Sequence, residues 1–315
     1  MALTGIPARQ NFLRRPQYVE GVEGLALKVV EKVLFRSESV AVCRFECPAE
    51  HPLFPDSGPS NANTFVFPRT SVRVHREDGK TMIGGPQSVS FFNRGEGYRR
   101  SSIGGAGSRC DWFVVDSALL SETVARFDPE AARTTSGRPF RARSAPVDNQ
   151  TLTLERALIR GIVAEPGPDA AAVEETVLEL LARLLRAAHA TMPLAANPRA
   201  SRREAEIADA TKAWIAAHFR LECSLAEIAR ALGVSVFHLA HAFRRQCGTS
   251  IHRYRDQVRV RTALDALDAG WGDLTTLAME LGYSSHSHFT ERFRLAFGVT
   301  PSAYRAGGGG NRAYS

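Results

Sequence analysis

Several features that mark familiar protein classes are scarce in these 315 residues. The cysteines are few, odd in number and mostly far apart: Cys43, Cys47, Cys110, Cys223 and Cys247. No apolar run reaches the length of a membrane span, and the start, MALTGIPARQNFLRRPQ, lacks the apolar stretch of a secretory signal. We therefore expect no disulfide framework and no membrane partner, but a cytoplasmic protein with free thiols.

Histidine is scarce in the first 190 residues, where only His51, His75 and His189 occur. A catalytic metal centre needs several histidines and a carboxylate that converge on one point. The sequence therefore predicts no metal, no other cofactor and no enzyme. Cys43 and Cys47 lie four residues apart on one face of a predicted strand, roughly 13 Å from each other. That separation is too long for a disulfide and favours core packing.

Two kinds of periodicity divide the chain. Short alternating segments between Gly, Pro, Asn and Asp turns predict a small barrel or sandwich over about 20–116, and helical spacing follows over about 117–190. The proline-containing segment 191–203 is predicted as a linker, 204–306 as an all-helical domain, and 307–315 as a disordered tail. The fold class expected is α+β, with domain boundaries at 1–190 and 204–306.

The C-terminal third contains an internal repeat. SLAEIARALGVS (Ser224–Ser235) aligns with DLTTLAMELGYS (Asp273–Ser284) at a shift of 49 residues, which becomes 50 after one inserted residue. Ser224 and Asp273 suit helix N-caps, and Gly233 and Gly282 suit the left-handed residue that ends a helix. A serine then caps a second helix that ends before another glycine. Each repeat therefore predicts a helix-turn-helix unit, whose second helix enters the DNA major groove.

The segment between the two units, RYRDQVRVRTALDALDAG, predicts a helix of about 17 residues, roughly 25 Å long. A spacer of this size can hold two recognition helices about 34 Å apart, which is one turn of DNA. One chain could then read two adjacent major-groove segments. The net charge of +7 agrees with a polyanionic partner, although charge alone is a weak indication.

The region from about Ile207 to Arg305 resembles the DNA-binding domain of the AraC/XylS family of transcription regulators. The resemblance rests on SLAEIARALGVSVFHLAHAFRRQCGTSIHRYR, on the linking helix, and on LAMELGYSSHSHFTERFRLAFGVTPSAYR with its final Gly-x-x-Pro-x-x-Tyr-Arg. It covers about a third of the chain. It implies a seven-helix domain with two helix-turn-helix units that binds double-stranded promoter or operator DNA. It also implies an activator that contacts RNA polymerase, with repression as the alternative.

In the first unit, helical spacing turns Leu239 and Phe243 toward the core. The side chains off that stripe are Phe237, His238, His241, Arg244 and Arg245. The resemblance implies that Phe237, Ala240 and His241 face bases: the first two suit a thymine methyl group, and the histidine suits a base edge. The alternative for Phe237 is a partly buried core position.

In the second unit, Phe289 and Phe293 form the matching core pair. The predicted DNA contacts are Ser285, His286, Ser287, Thr290, Glu291 and Arg294. Glu291 would accept a hydrogen bond from cytosine N4, or alternatively form a salt bridge with Arg292 or Arg294. Arg244 and Arg294 are expected at phosphates, which set register without reading sequence.

The pair His286 and His288 has a common metal-ligand spacing, but residues two apart on a helix point about 200° away from each other. They cannot bind one ion from the same face. His286 is therefore predicted at DNA, and His288 is predicted as a structural residue beside the core.

Arginines are concentrated around the linking helix. Between residues 244 and 261 the sequence has one acidic residue, Asp256, and six arginines: Arg244, Arg245, Arg253, Arg255, Arg259 and Arg261. We predict a DNA-facing basic surface, with a solvated helix face as the alternative.

The N-terminal part resembles, more loosely, the cupin-like barrel and helical dimerisation element of the same family, through FFNRGEGYRR and RCDWFVVD. This implies a small-molecule effector site, or a pure dimerisation or partner-binding module without an effector. A metal-dependent cupin enzyme is disfavoured. We expect a homodimer through Ala171–Ala188, with packing of the Val173–Ala188 stripe on the barrel as the alternative.

Overall fold

The computed structural model describes residues 18–19, 27–56, 58–130, 137–164, 166–191 and 198–308. The chain divides into two compact units, Met1–Met192 and Pro193–Ser315. None of the described helices is both long and apolar enough to cross a membrane.

The described part of the N-terminal unit contains short strands that pair antiparallel. They are β1 Tyr18–Val19, β2 Leu27–Lys28, β3 Val30–Arg36, β4 Val40–Cys47, β5 Thr64–Pro68, β6 Val72–Arg76, β7 Thr81–Gly84, β8 Ser88–Phe92, β9 Tyr98–Ser102, β10 Ser108–Val115 and β11 Ser144–Pro146. One sheet has the order β11–β8–β5–β10–β4–β3, a second has the order β7–β6–β9, and β1 pairs with β2.

The described strands do not close into the expected barrel. The outer strands β3 and β11 of the large sheet form no ladder with β7 or β9 of the small one. Side chains join the sheets instead: Cys47 and Phe92 from the large sheet share one apolar cluster with Val72 and Val74 from the small one. The α+β class is confirmed. The strand-rich part consists of two packed sheets, which corresponds to the sandwich that the sequence pattern also allowed.

The two cysteines of β4 serve core packing, as the sequence predicts. Cys43 packs with Ala41 and Val114, whereas Cys47 belongs to the cluster between the sheets, and both thiols are free. Burial raises the pKa of Cys43 to about 12 and also raises the pKa of Cys47.

Three helices complete the described part of the N-terminal unit: α1 Ser117–Ala125, α2 Asn149–Ala164 and α3 Ala170–Thr191. Helix α3 packs against α1, α2 and β11. Its apolar stripe is buried within this one unit: Val173, Val177, Leu180, Leu181, Leu184 and Ala188 are each at most 5% exposed. The alternative prediction, that the stripe packs within the chain, is therefore confirmed. A homodimer through the exposed side of Ala171–Ala188 stays a prediction. Glu175, Glu179 and Arg186 remain on the exposed side.

The described part of the C-terminal unit has the seven helices that the resemblance implies, followed by a short turn, Tyr304–Gly308. They are α4 Pro198–His218, α5 Leu225–Ala231, α6 Val236–Cys247, α7 Ile251–Asp268, α8 Leu274–Glu280, α9 His286–Phe297 and α10 Pro301–Ala303. Helix α4 begins inside the predicted linker, because Pro198 occupies a first helical position, where its missing N–H costs nothing. Residues 192–197 of that linker, and the predicted tail from 309 onward, lie outside the described residues.

Candidate nucleic-acid interface

Helices α5 and α6 form the first helix-turn-helix unit, and α8 and α9 form the second. Ser224 caps α5 in a capping box with Glu227, and Asp273 caps α8. Gly233 and Gly282 follow these helices with φ of 65° and 79°, in the left-handed region. The caps and turns predicted from the repeat are confirmed.

The N-caps give the register between the two recognition helices. Ser235 caps α6 and Ser285 caps α9, each accepting a hydrogen bond from the backbone N–H three residues on. Positions of α6 and α9 therefore correspond at a spacing of 50 residues. The inward-facing pairs, all 0% exposed, are Leu239 with Phe289 and Phe243 with Phe293.

The outer side of α6 carries an aromatic pair and an arginine. At 100° per residue, Phe237, His241 and Arg244 point away from the buried Leu239 and Phe243. Phe237 is 74% exposed, which excludes the core alternative. Its ring stacks on that of His241, with centroids 5.8 Å apart and planes at 12°. Ala240 is exposed beside the pair.

Two other side chains predicted at DNA are exposed but already bonded within the fold. Nδ1 of His238 lies 3.1 Å from Oγ of the N-cap Ser235. Arg245 forms an ion pair with Glu204 of α4, with Nη1 and Oε1 3.2 Å apart. A DNA contact by Arg245 would compete with this ion pair.

The outer side of α9 is polar. Ser287, Glu291 and Arg294 occupy the positions that correspond to Phe237, His241 and Arg244, and all three are exposed. Within the described chain, Glu291 has no ion pair. Arg292 instead binds Asp256 of α7, with Nε and Oδ2 2.8 Å apart. The alternative salt bridge of Glu291 with Arg292 or Arg294 is therefore not formed.

The other predicted contacts of the second unit differ in exposure. His286 is the exposed first residue of α9, whereas Oγ of Ser285 is used in capping. Thr290 is half-buried, and its hydroxyl oxygen is enclosed without a hydrogen-bond partner among the described residues. The structure thus removes the Thr290 hydroxyl from the exposed surface, because α9 turns that position partly toward the protein.

His288 is exposed, and its ring contacts the turn before α9. Nδ1 lies 3.3 Å from Oγ of Ser284, and the ring meets Tyr283 edge-on at 5.4 Å. His286 and His288, two residues apart, lie on different sides of α9. Across the described chain, no group of three His, Cys, Asp or Glu side chains has metal-binding geometry.

The six arginines around α7 do not form one exposed surface, which corrects the prediction. Arg244, Arg245 and Arg253 are exposed, Arg255 is half-buried, and Arg259 and Arg261 are buried. Nε of Arg259 donates to the Phe219 carbonyl at 2.7 Å, and Nη1 of Arg255 donates to the Cys223 carbonyl at 3.2 Å. The last carbonyls of a helix and the loop after it lack helical partners, and these guanidinium groups satisfy such carbonyls after α4.

Helix α7 also binds the turn of the second unit. Asp256 accepts a hydrogen bond from the Tyr283 hydroxyl at 3.3 Å, and it pairs with Arg292. The Arg259 guanidinium lies over the Tyr283 ring, 5.6 Å from its centroid. Burial, with the charge of Asp256 beside the hydroxyl, raises the pKa of Tyr283. The second turn is therefore fixed by polar contacts that the sequence pattern does not reveal.

The N-terminal unit contains a buried cluster of charged side chains that the sequence analysis does not predict. Asp111 is fully buried in β10 and pairs with Nε of Arg69 at 2.6 Å and Nε of Arg44 at 2.9 Å. Burial opposes its ionisation, but the nearby arginines outweigh burial and lower the pKa of Asp111. Glu155 of α2 is buried nearby, and its burial raises its pKa to about 7. An aspartate inside an apolar strand such as CDWFVV is unusual and could have indicated this cluster.

A cavity of about 170 Å³ lies within the N-terminal unit. Residues of both sheets line it, among them Phe45, Val66, Val74, Tyr98 and Arg100. Its wall is mostly apolar, with a few polar groups, which is the composition of small-molecule sites.

The three histidines of this unit are spread out rather than gathered at one point. His51 is buried in a loop and accepts a hydrogen bond from the Leu53 N–H at 3.1 Å. His75 lies in β6 and its ring nitrogens contact the hydroxyl groups of Thr81 and Ser101. His189 is exposed near the end of α3.

Comparisons with known proteins point to the C-terminal unit. Residues 228–307 match the family model described as a helix-turn-helix domain. The chain is 30% identical over 95 residues to the HTH-type transcriptional activator RhaS of Klebsiella pneumoniae, covering 30% of this chain and 34% of RhaS. It is 25% identical over 114 residues to the HTH-type transcriptional activator AarP of Providencia stuartii, covering 36% of this chain and 84% of AarP. The match thus spans about a third of the length of RhaS.

Among solved structures, an AraC-type DNA-binding domain protein from Chromobacterium violaceum is 25% identical. It covers 34% of this chain and 94% of that chain, with a TM-score of 0.31. ToxT from Vibrio cholerae covers 85% of this chain and 98% of that chain, at 9% identity and a TM-score of 0.33. Neither overlap is close enough to support a functional argument.

Proposed function

We propose that this chain, whose C-terminal unit is a helix-turn-helix domain of the AraC type, is a sequence-specific DNA-binding transcription regulator. The observation that carries the proposal is the pair of recognition helices. Both start at a serine cap, bury the same two positions and expose the same outer positions. A helix presented in this way suits the major groove, and two of them suit adjacent groove segments.

The contacts follow from exposure and chemistry. We assign base contacts to Phe237, Ala240 and His241 in the first unit, and to Ser287 and Glu291 in the second. The remaining exposed groups, at or near helix ends and on the outer sides, suit phosphates: Arg244, His286 and Arg294. Four predicted residues are weaker candidates for DNA contact, because their polar atoms are already bonded or enclosed within the fold: His238, Arg245, Ser285 and Thr290.

The N-terminal unit is proposed as the regulatory part. The cavity between its sheets supports an effector site for a small, mostly apolar molecule. The competing proposal is a partner-binding or dimerisation module without an effector, and any dimer would use a surface other than the α3 stripe. We further propose that the chain activates transcription, as the names of the activators RhaS and AarP suggest. The activation would proceed through contact with RNA polymerase, and the chain would act by binding rather than catalysis.

Selection of binding sites from random double-stranded DNA with the purified full-length chain tests the function. We expect an enriched motif that spans two major-groove segments, and footprints at those sites. Their occupancy should fall steeply as salt rises, because arginine–phosphate contacts release counterions.

A protein with Phe237 and Glu291 both replaced by alanine is the matched control. Both side chains are exposed, so the variant should fold, as circular dichroism can check, and it should lose the motif while still binding DNA weakly at low salt. If the intact chain gives no footprint even at low salt, the proposed function is wrong.

A further inference from the structure

Phe237 is the most exposed large apolar side chain in the described part of the chain, at 74%. It does not stand alone, because Val236 is 43% exposed and Ala240 is exposed on the next turn. Together they form an apolar surface near the start of a twelve-residue helix. The core of α6 gains nothing from this surface, since Leu239, Ala242 and Phe243 fill the buried side.

The Phe237 ring contacts two other rings of the same helix. His241, one turn further along α6, stacks nearly parallel to it, and His238 meets it edge-on at 6.0 Å. A ring that is already oriented loses little rotamer freedom on binding. The ring therefore presents an apolar face on the side of α6 that points away from the protein.

Only one base offers an apolar group in the major groove, namely thymine with its C5-methyl group. The other base edges present hydrogen-bond donors and acceptors, and a phenyl ring would leave those groups without water or a partner. An apolar face at this position therefore favours thymine and disfavours the other bases.

The second recognition helix differs at the same two positions. Ser287 and Glu291 replace Phe237 and His241, although the caps, the buried pair and the outer arginine are kept. A serine and a carboxylate suit polar base edges, and the carboxylate suits the amino group of cytosine in particular. The two helices therefore present different chemistry through the same framework.

We propose that Phe237, stacked on His241, recognises the C5-methyl group of a thymine and so requires thymine in the DNA segment that α6 contacts. One chain would then recognise an asymmetric site, in which this thymine-containing segment lies beside a second segment whose polar base edges are contacted by α9. This inference rests on the proposed function, because it names which DNA group the first unit reads.

Single thymine-to-deoxyuridine replacements test the inference, because they remove the methyl group and leave base pairing intact. The affinity of the full-length chain is measured for the selected site and for each replaced site. We expect about a fourfold loss at one or two positions under α6, which is the effect of one buried methyl group. Phe237→Ala should bind the thymine site more weakly and should show a smaller loss on replacement at the position that Phe237 contacts.

Leu295→Ala is the matched control, because it removes another largely exposed apolar side chain, 65% exposed, from α9. It should keep the fourfold loss at the same positions. The inference is overturned if the intact chain binds uracil and thymine sites equally, or if Phe237→Ala keeps the full loss. Absence of any sequence-selective binding would instead overturn the proposed function, so the two failures are distinguishable.

Discussion

Alanine at Gly282 should be far more damaging than alanine at the corresponding Gly233. Both glycines have positive φ, so each substitution costs about 1–2 kcal/mol for the left-handed conformation. A Cβ at Gly233 meets no atom within 4 Å. At Gly282 it would overlap the carbonyl oxygen of Arg220 and lie 2.8 Å from Nη2 of Arg259. Relief of that overlap must move the second turn, which adds roughly 1–3 kcal/mol.

We therefore expect a loss of unfolding free energy of about 1–2 kcal/mol for Gly233→Ala and about 2–5 kcal/mol for Gly282→Ala. The entropy that alanine removes from the unfolded chain is the same at both sites and cancels in the comparison. The chain has three tryptophans, and only Trp112 lies in the N-terminal unit. In a Trp112→Phe background, tryptophan fluorescence during urea unfolding reports the C-terminal unit alone. Equal losses for the two variants would refute the crowding argument.

Three further outcomes are expected. Asp256→Ala should lower the stability of the C-terminal unit by about 1–3 kcal/mol, because it leaves Tyr283 and Arg292 without their acceptor; an unchanged midpoint in urea would contradict this. Because burial raises the pKa of Glu155 to about 7, the folded N-terminal unit holds a proton that the unfolded chain releases above about pH 4.3. The stability of the unit should therefore fall as the pH rises from there through about 7. Glu155→Gln should reduce this dependence of stability on pH, as calorimetry between about pH 5 and pH 8 can measure. An identical dependence in the variant would count against the assignment. Arg244→Ala should weaken binding to all DNA sequences alike and reduce the salt slope by about one, whereas a loss confined to one sequence would indicate base contact.

The repeat and its helix ends could be predicted from the sequence because their signals are local. Each signal depends on near neighbours alone: a serine that caps a helix by accepting from the N–H three residues on, a glycine that follows a helix, and apolar residues spaced four apart. Ser235, Gly233 and Phe243 therefore lie where the pattern indicates.

The inward arginines of α7 could not be predicted in the same way. Arg259 and Arg261 look like members of a solvated basic face, because charged side chains are rarely buried. The partners of Arg259 come from a distant part of the chain, namely the carbonyls of Phe219 and Leu221. The same holds for Asp111, whose partner Arg69 is 42 residues away in sequence.

The N-terminal sheets were only partly predictable for a related reason. Alternation of apolar residues indicates strands, but it does not say which strand edges meet. Sheet closure depends on pairing between β3 or β11 and the small sheet, and no turn signal specifies that pairing.

The buried thiol of Cys43 allows local opening of the N-terminal unit to be measured by chemical labelling. Cys43 and Cys110 both have pKa values raised by burial to about 12, so near pH 8 only about one thiol in ten thousand is a thiolate. Alkylating reagents react with the thiolate, and Cys43, which is buried, becomes reactive only in molecules that have opened, whereas Cys110 is half-buried. The rate at which iodoacetamide labels Cys43 therefore measures how often the packing around β4 opens. A ligand that fills the cavity between the sheets should slow that labelling in proportion to its occupancy, which gives an effector screen that needs neither DNA nor an added dye.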